Sequence, residues 1–259
     1  MPSVRTLFVL AALASLACAA PPADDARWYE AIGARAFQAN YDPTLIGRRL
    51  LAEASFEDDR DGTTTTELKQ GARYSALVLP DLAAGLQLTW PLEVVTGGTS
   101  AVAGYADPEV RAGLVGRLSP RLRAGSGLNL KIPAATSPML QDDFEIRPIA
   151  AASFDVTDHF NIGVNTDYKI TPQDTGPDGE NELEVKLPLG LALNDRWSVA
   201  ATPKVALAFN TATADPKLEA GPTLLIGSRR QFAISPALEV PLSVQNLEWK
   251  ALLTAGWYY

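Results

Sequence analysis

The residues that could do chemistry are charges recurring at every second position. Arg111, Arg117, Arg123, Lys131 and Arg147 fall on one face of three successive extended segments, with only Glu109 and Glu145 against them. Glu53, Glu57, Glu219, Glu239 and Glu248 fall on the matching face of the first and last segments, against Lys217 and Lys250. Successive side chains of a strand point to opposite faces, so each set lines a wall. If the segments close into a ring, the basic and acidic walls face one another. Such a pair makes a transverse field, which orients a dipolar solute in passage and breaks no bond. Long side chains from the two walls could equally meet and pair, which would seal the path.

Bond-breaking chemistry has little material. The chain carries one histidine, His159, and one cysteine, Cys18. A nucleophilic triad needs Ser, His and an orienting group close together. His159 opens a segment beside a short turn and reads as a turn residue, so a membrane-embedded hydrolase is the weakest reading. No catalytic residue, metal site or cofactor is assigned. The acid- and glycine-rich stretches 57–62 and 174–181 lack the ligand spacing of a calcium loop and read as solvated outer loops, meeting lipopolysaccharide through divalent ions.

The elements that must position these charges are strands. Residues Leu247 to Tyr259 alternate strictly: Leu247, Trp249, Ala251, Leu253, Ala255, Trp257 and Tyr259 on one side, Glu248, Lys250 and Thr254 on the other. An apolar face capped by aromatics, backed by a charged face, suits a strand between lipid and water. A formal net charge of -8 argues against a nucleic-acid partner, which needs a basic footprint. Beyond the N-terminus no apolar run approaches the ~20 residues of a membrane helix, but barrel strands escape that test.

Residues 1–19 read as a secretory signal, with Arg5, an apolar core from Leu7 to Leu16, and a small-residue site at Ala17-Cys18-Ala19. Lipidation at Cys18 is the rival; Ser15 stands where such a signal carries leucine. Residues 20–47 form a periplasmic or lumen-plug segment: a short helix by the spacing of Trp28, Ile32 and Arg35, or an extended arm or loose tail.

Residues 48–259 divide into twelve segments of barrel-crossing length: 48–57, 64–78, 82–95, 107–118, 121–132, 143–154, 159–170, 181–193, 197–210, 217–227, 231–243 and 246–259. The connectors alternate short and long, with Val244-Gln245 the exception. Short periplasmic turns and long outer loops put both termini in the periplasm. Leu183 to Leu193 carries six apolar residues on one face, and Phe160, Ile162, Val164, Tyr168 and Ile170 do the same. A soluble barrel also alternates, with its apolar face inside. Aromatics separate the two. Tyr74, Trp197, Trp257 and Tyr259 stand towards one rim, and Trp90, Tyr168 and Trp249 towards the other, as two membrane interfaces require. Against this stand prolines 91, 148, 188, 203, 222, 236 and 241 inside proposed strands, since a closed barrel has no free edge to hold them.

Residues 74–93, YSALVLPDLAAGLQLTWPLE, resemble a pattern in outer-membrane transporters named for the MetA-pathway of phenol degradation. GYADPEVRAGLVGRL at 104–118 and LNLKIP at 128–133 resemble the strands that follow there. The resemblance covers about the middle third of the chain, and its motifs are mostly those of any barrel. It implies an outer-membrane transporter or channel for small organic or aromatic compounds, and carries no catalytic residues.

The expectation is an all-β, twelve-stranded antiparallel transmembrane barrel in a bacterial outer membrane, monomeric. It passes a small aromatic or dipolar solute, contacts lipid and lipopolysaccharide, and engages the barrel-assembly machinery through its C-terminal strand. A sealed structural barrel and a soluble secreted β protein are the alternatives.

Overall fold

From Arg49 onward apolar residues alternate with Gly, Ser, Asn and charged ones, the pattern of a half-buried strand. The computed structural model describes residues 49–58, 63–97, 100–138, 140–172, 181–227, 231–243 and 249–258. The leader, the segment 20–47, Glu248 and Tyr259 lie outside them. No helix occurs among the described residues.

Fourteen strands occur: β1 (Arg49–Asp58), β2 (Thr64–Leu79), β3 (Leu82–Gly97), β4 (Ser100–Tyr105), β5 (Glu109–Arg117), β6 (Leu122–Lys131), β7 (Glu145–Asp155), β8 (Phe160–Lys169), β9 (Glu182–Lys186), β10 (Leu189–Ala192), β11 (Trp197–Ala208), β12 (Thr213–Ile226), β13 (Phe232–Pro241) and β14 (Trp249–Tyr258). β4 and β5 are two pieces of one stave, broken at 106–108. β9 and β10 are two pieces of another, broken at 187–188. Fourteen strands less these two joins leave twelve staves. Each pairs antiparallel with its neighbours, and β14 closes onto β1 from Trp249↔Asp58 to Tyr258↔Arg49. The sheet has no edge. Both the start of β1 and the end of β14 lie at the short-turn end.

Two boundaries differ from expectation. The stretch 96–106, expected as a loop, is largely paired, since β3 and β4 pair from Leu92↔Tyr105 to Gly97↔Ser100. Val94, Val95 and Val102 favour strand there. Residues 213–216 extend β12 rather than forming a loop. β13 ends at Pro241 and β14 begins at Trp249, and the expected connector Val244-Gln245 lies outside the described residues.

The prolines have a common solution. Within an antiparallel strand a residue's N–H and C=O point to the same neighbour. Pro91 points at the break between β4 and β5, its carbonyl accepting the Ala106 N–H at 3.0 Å. Pro203 points at the break between β9 and β10, accepting from Leu187 at 2.9 Å. Pro188 lies in that break and accepts from Gly163 at 2.8 Å. Pro148 stands between the Ile146↔Ile170 bridge and the ladder that resumes at Ile149↔Asp167. Pro222 and Pro236 oppose one another where the β12–β13 ladder jumps from Ala220↔Leu238 to Leu224↔Ile234. Thr223 and Ser235 bridge that jump by a side-chain hydrogen bond of 2.8 Å. Each of these six missing donors meets a gap, and closure survives because the flanking pairs hold; Pro241, the seventh, is the last residue of β13, opposite Lys217.

The two faces are inverted relative to a soluble protein. Leu50, Leu189, Leu191 and Leu253 are exposed, while Asn161, Asn165, Ser198, Thr202, Thr223 and Glu219 are buried inside the ring. Leu191 is 41% exposed and its register neighbour's companion Asn161 is 2% exposed. The interior also holds apolar residues, Val115, Ile149, Leu225 and Leu252 among them. An unbroken leucine belt around a closed sheet is stable only in hydrocarbon, where every backbone group must be satisfied internally. The barrel therefore belongs in a bacterial outer membrane.

Leu253 and Thr254 are adjacent at mid-strand, one outward and one inward. Leu253→Arg is expected to cost about 2–4 kcal/mol in lipid-vesicle unfolding, against a much smaller cost for Thr254→Arg. Equal costs would mean the two faces share one environment.

Candidate functional site: the charged lumen

The acidic wall is organised by a lysine. Glu219 on β12 stands opposite Glu239 on β13, and Glu219 is 1% exposed. Like charges so placed repel. Lys204 on β11 resolves the conflict: its Nζ donates to Glu239 Oε2 at 2.6 Å and to Glu219 Oε2. Its own side chain is buried. Glu53 lies opposite Lys69 and accepts from Thr254 Oγ1 at 3.2 Å. Lys250 pairs with Glu57 at 2.8 Å across the β14–β1 closure.

The basic wall forms a register row. Arg73, Gln87, Arg111, Asn129 and Arg147 are successive cross-strand partners on β2, β3, β5, β6 and β7. Arg73 Nε donates to Gln87 Oε1 at 2.9 Å, and Asn129 Nδ2 donates to Glu109 Oε2 at 3.0 Å. Arg147 Nε donates to Glu145 Oε2 at 2.8 Å, and Lys169 reaches the other oxygen of Glu145 at 3.3 Å. Arg111 Nε and Asn129 Oδ1 are buried without a hydrogen-bond partner. Nearer the periplasm Arg117 and Arg123 are opposed in register and are drawn apart by Asp81 at 2.7 Å and Asp155 at 3.3 Å. Towards the outer end Lys131 lies between Glu109 and Glu145 in register and bonds Asp142.

These ion pairs join groups within one strand or on nearby staves of the same wall. Arg147 bonds Glu145, and Glu239 bonds Lys204, so each is satisfied on its own side of the ring. Glu248 lies outside the described residues.

The outer mouth has an anchor that sequence reasoning missed. Asp107 stands in the β4–β5 break and is fully buried. Its Oδ1 accepts the N–H groups of Ala134 at 2.6 Å and Ala135 at 2.8 Å, and its Oδ2 accepts that of Asp142 at 2.7 Å. Thr136 continues the pairing, its N–H donating to the Tyr105 carbonyl at 2.8 Å. The β6–β7 connector is thus pinned over Gly104, and Leu140 is buried beside it. Lys204 was missed as well. Both residues flank a proline, and neither the break nor the triad is visible until the strands are in register.

His159 is exposed in its turn, its N–H bonding Thr157 Oγ1 at 3.2 Å and its carbonyl accepting from Ala192 at 2.8 Å. Trp197 and Trp257 stand exposed on the outward face at the short-turn end. Trp249 stacks at a tilt on Phe56 near the other end, with centroids 5.5 Å apart. Tyr168 meets Phe209 edge-on at 6.1 Å. Tyr74 and Trp90 are half-buried on the same outward face.

No protein-family model matches the chain, and no curated protein matches it in sequence. Solved structures do resemble it. The CymD monoaromatic hydrocarbon channel is 12% identical over 88% of this chain and 92% of its own, with a TM-score of 0.57. The NanC porin is 13% identical over 81% and 99%, with a TM-score of 0.55. The KdgM porin in complex with disordered oligogalacturonate is 10% identical over 82% and 99%, with a TM-score of 0.52. At such identity the likeness establishes the fold, that of porin and channel barrels.

Removing Lys204 would leave the buried Glu219 facing Glu239 across the β12–β13 register without the cation that bridges them. Lys204→Met is expected to destabilise the barrel by about 3–5 kcal/mol in denaturant titration, with partial rescue by Glu219→Gln. Asp107→Ala would free three backbone N–H groups, and limited proteolysis is expected to cut within 132–142 at least about tenfold faster, since each charge-assisted bond contributes roughly 1.5–3 kcal/mol. Unchanged cleavage would mean the connector is held otherwise.

Proposed function

We infer that the protein is an outer-membrane channel passing a small organic solute with a polar or charged group. The supporting observation is that Arg147 pairs with Glu145 and Glu239 with Lys204, each on its own wall rather than with one another across the lumen. Glu53, Glu219, Glu239 and Glu248 on one wall, and Arg111, Arg117, Arg123, Lys131 and Arg147 on the other, would steer a dipolar solute along the axis. The similar structures bracket the cargo. One is described as a monoaromatic hydrocarbon channel and another holds oligogalacturonate, a polyanion. A row bearing Arg73, Gln87, Arg111, Asn129 and Arg147 fits a polar or anionic solute better than a bare hydrocarbon. The resemblance of residues 74–93 to phenol-degradation transporters adds an aromatic body to that solute. Tyr74, Trp90, Tyr168, Trp197, Trp249, Trp257 and Tyr259 would anchor the barrel at the two interfaces, with lipopolysaccharide around the outer loops. The C-terminal strand would engage the assembly machinery, and the closed sheet needs no second copy.

A second reading, a sealed structural barrel, has one observation in its favour. Thr202, Thr223, Glu219 and Leu225 are almost inaccessible, so the lumen is narrow at their level. Planar-bilayer recording separates the two. The channel reading expects discrete conductance steps, with Arg111→Glu moving the reversal potential towards cation preference. No steps, with no solute-driven swelling of proteoliposomes, would leave the sealed barrel.

A further inference from the structure

One place in the lumen wall is shaped to hold part of a solute. Gly85, Gly113 and Gly127 are consecutive register partners on β3, β5 and β6, between Ser75 on one side and Ile149 on the other. A side chain at Gly127 would sit 2.5 Å from the Ala112 carbonyl, and one at Gly113 would sit 2.8 Å from that of Ser126. At Gly113 and Gly127 the strands approach too closely for a larger residue, so the wall there is bare backbone. A cavity of about 40 Å³ lies against it. A single water needs ~10–15 Å³ by the same measure, so the space admits a carboxylate group or an edge of a ring.

The cavity is amphipathic. One register row towards the periplasm, Ala83 and Val115 are buried, and Ile149 closes the end of the glycine row. One row towards the outside lie Arg73, Gln87 and Arg111, all of them in its lining. Arg73 and Gln87 bond to one another, but Arg111 Nε is buried with no acceptor. An unsatisfied buried donor costs about 1–3 kcal/mol, more when the group is charged. Glu109, the same-face carboxylate two residues away on β5, accepts from Asn129.

We propose that this recess is a binding subsite for an aromatic monocarboxylate, one edge of the ring entering the recess against the glycine row and the carboxylate accepting from Arg111 at its lumen side. The proposal rests on the channel reading and sharpens it to a cargo class. A carboxylate supplies the acceptor that Arg111 lacks. A flat ring covers backbone that no side chain covers, against the apolar floor of Ala83, Val115 and Ile149. A neutral aromatic would satisfy the floor and leave Arg111 Nε without an acceptor.

The test uses the full barrel in detergent, titrated calorimetrically with sodium benzoate and with benzyl alcohol, and the same barrel in planar bilayers. Saturable benzoate binding is expected, with benzyl alcohol at least about tenfold weaker, the scale of one charge-assisted hydrogen bond. Arg111→Gln is expected to remove that preference. Gly85→Ala is the shape variant, because its added carbon would meet nothing closer than the Ser75 hydroxyl at 3.2 Å, and the fold should survive. It is expected to weaken benzoate binding with Arg111 intact. Equal binding of the acid and the alcohol, or benzoate binding unchanged in both variants, overturns the subsite. Benzoate binding that obeys both variants without any conductance supports the subsite and removes the channel reading instead.

Discussion

Everything in this protein depends on one constraint: the backbone hydrogen bonds of the staves must be satisfied within the sheet, because hydrocarbon offers none. Closure of β14 on β1 meets that demand at the seam where the last strand meets the first. The same demand explains the positions of the prolines. A residue without an N–H can sit in an edgeless sheet only where the facing strand presents no carbonyl that depends on that donor. Pro91 and Pro203 facing the two broken staves, and Pro222 facing Pro236, satisfy that condition. Breaks and prolines are therefore one feature seen from two sides.

Once the leucines face out, the charges must face in, where water is scarce and partners are few. The barrel handles this locally. Lys204 holds two glutamates that the register forces together, and Glu145 holds both Arg147 and Lys169. Pairing within a wall keeps the walls from collapsing on each other. It also leaves specific groups uncommitted, and Arg111 beside the glycine recess is one whose Nε lacks an acceptor. Stability and selectivity then draw on the same set of residues, so variants in the lumen should be read for both.

Much of this was legible in the chain itself. The alternation of Phe160 to Lys169 and the starts of β2, β3 and β11 at Thr64, Leu82 and Trp197 fall where the pattern placed them. Period-two patterning is local, and so is readable. The β3–β4 pairing was hidden because Thr-Gly-Gly-Thr-Ser looks like a loop, although Thr96, Gly97 and Ser100 are paired. Lys204 and Asp107 were hidden for a different reason. Their meaning lies in partners 15 to 35 residues away, which only the register brings together. Glycines 85, 113 and 127 look unremarkable singly and become a site only when three strands align.

The most direct test of the central claim is the environment of consecutive residues on β14. Single cysteines at 250 to 255, in a chain whose only native cysteine is Cys18, would carry a nitroxide in proteoliposomes. Collision with oxygen, which concentrates in lipid, and with a water-soluble nickel complex would be measured at each. The account expects oxygen access to peak at 251, 253 and 255 and nickel access to peak at 250, 252 and 254. Profiles with no two-residue alternation, or with the two reagents exchanged, would contradict it.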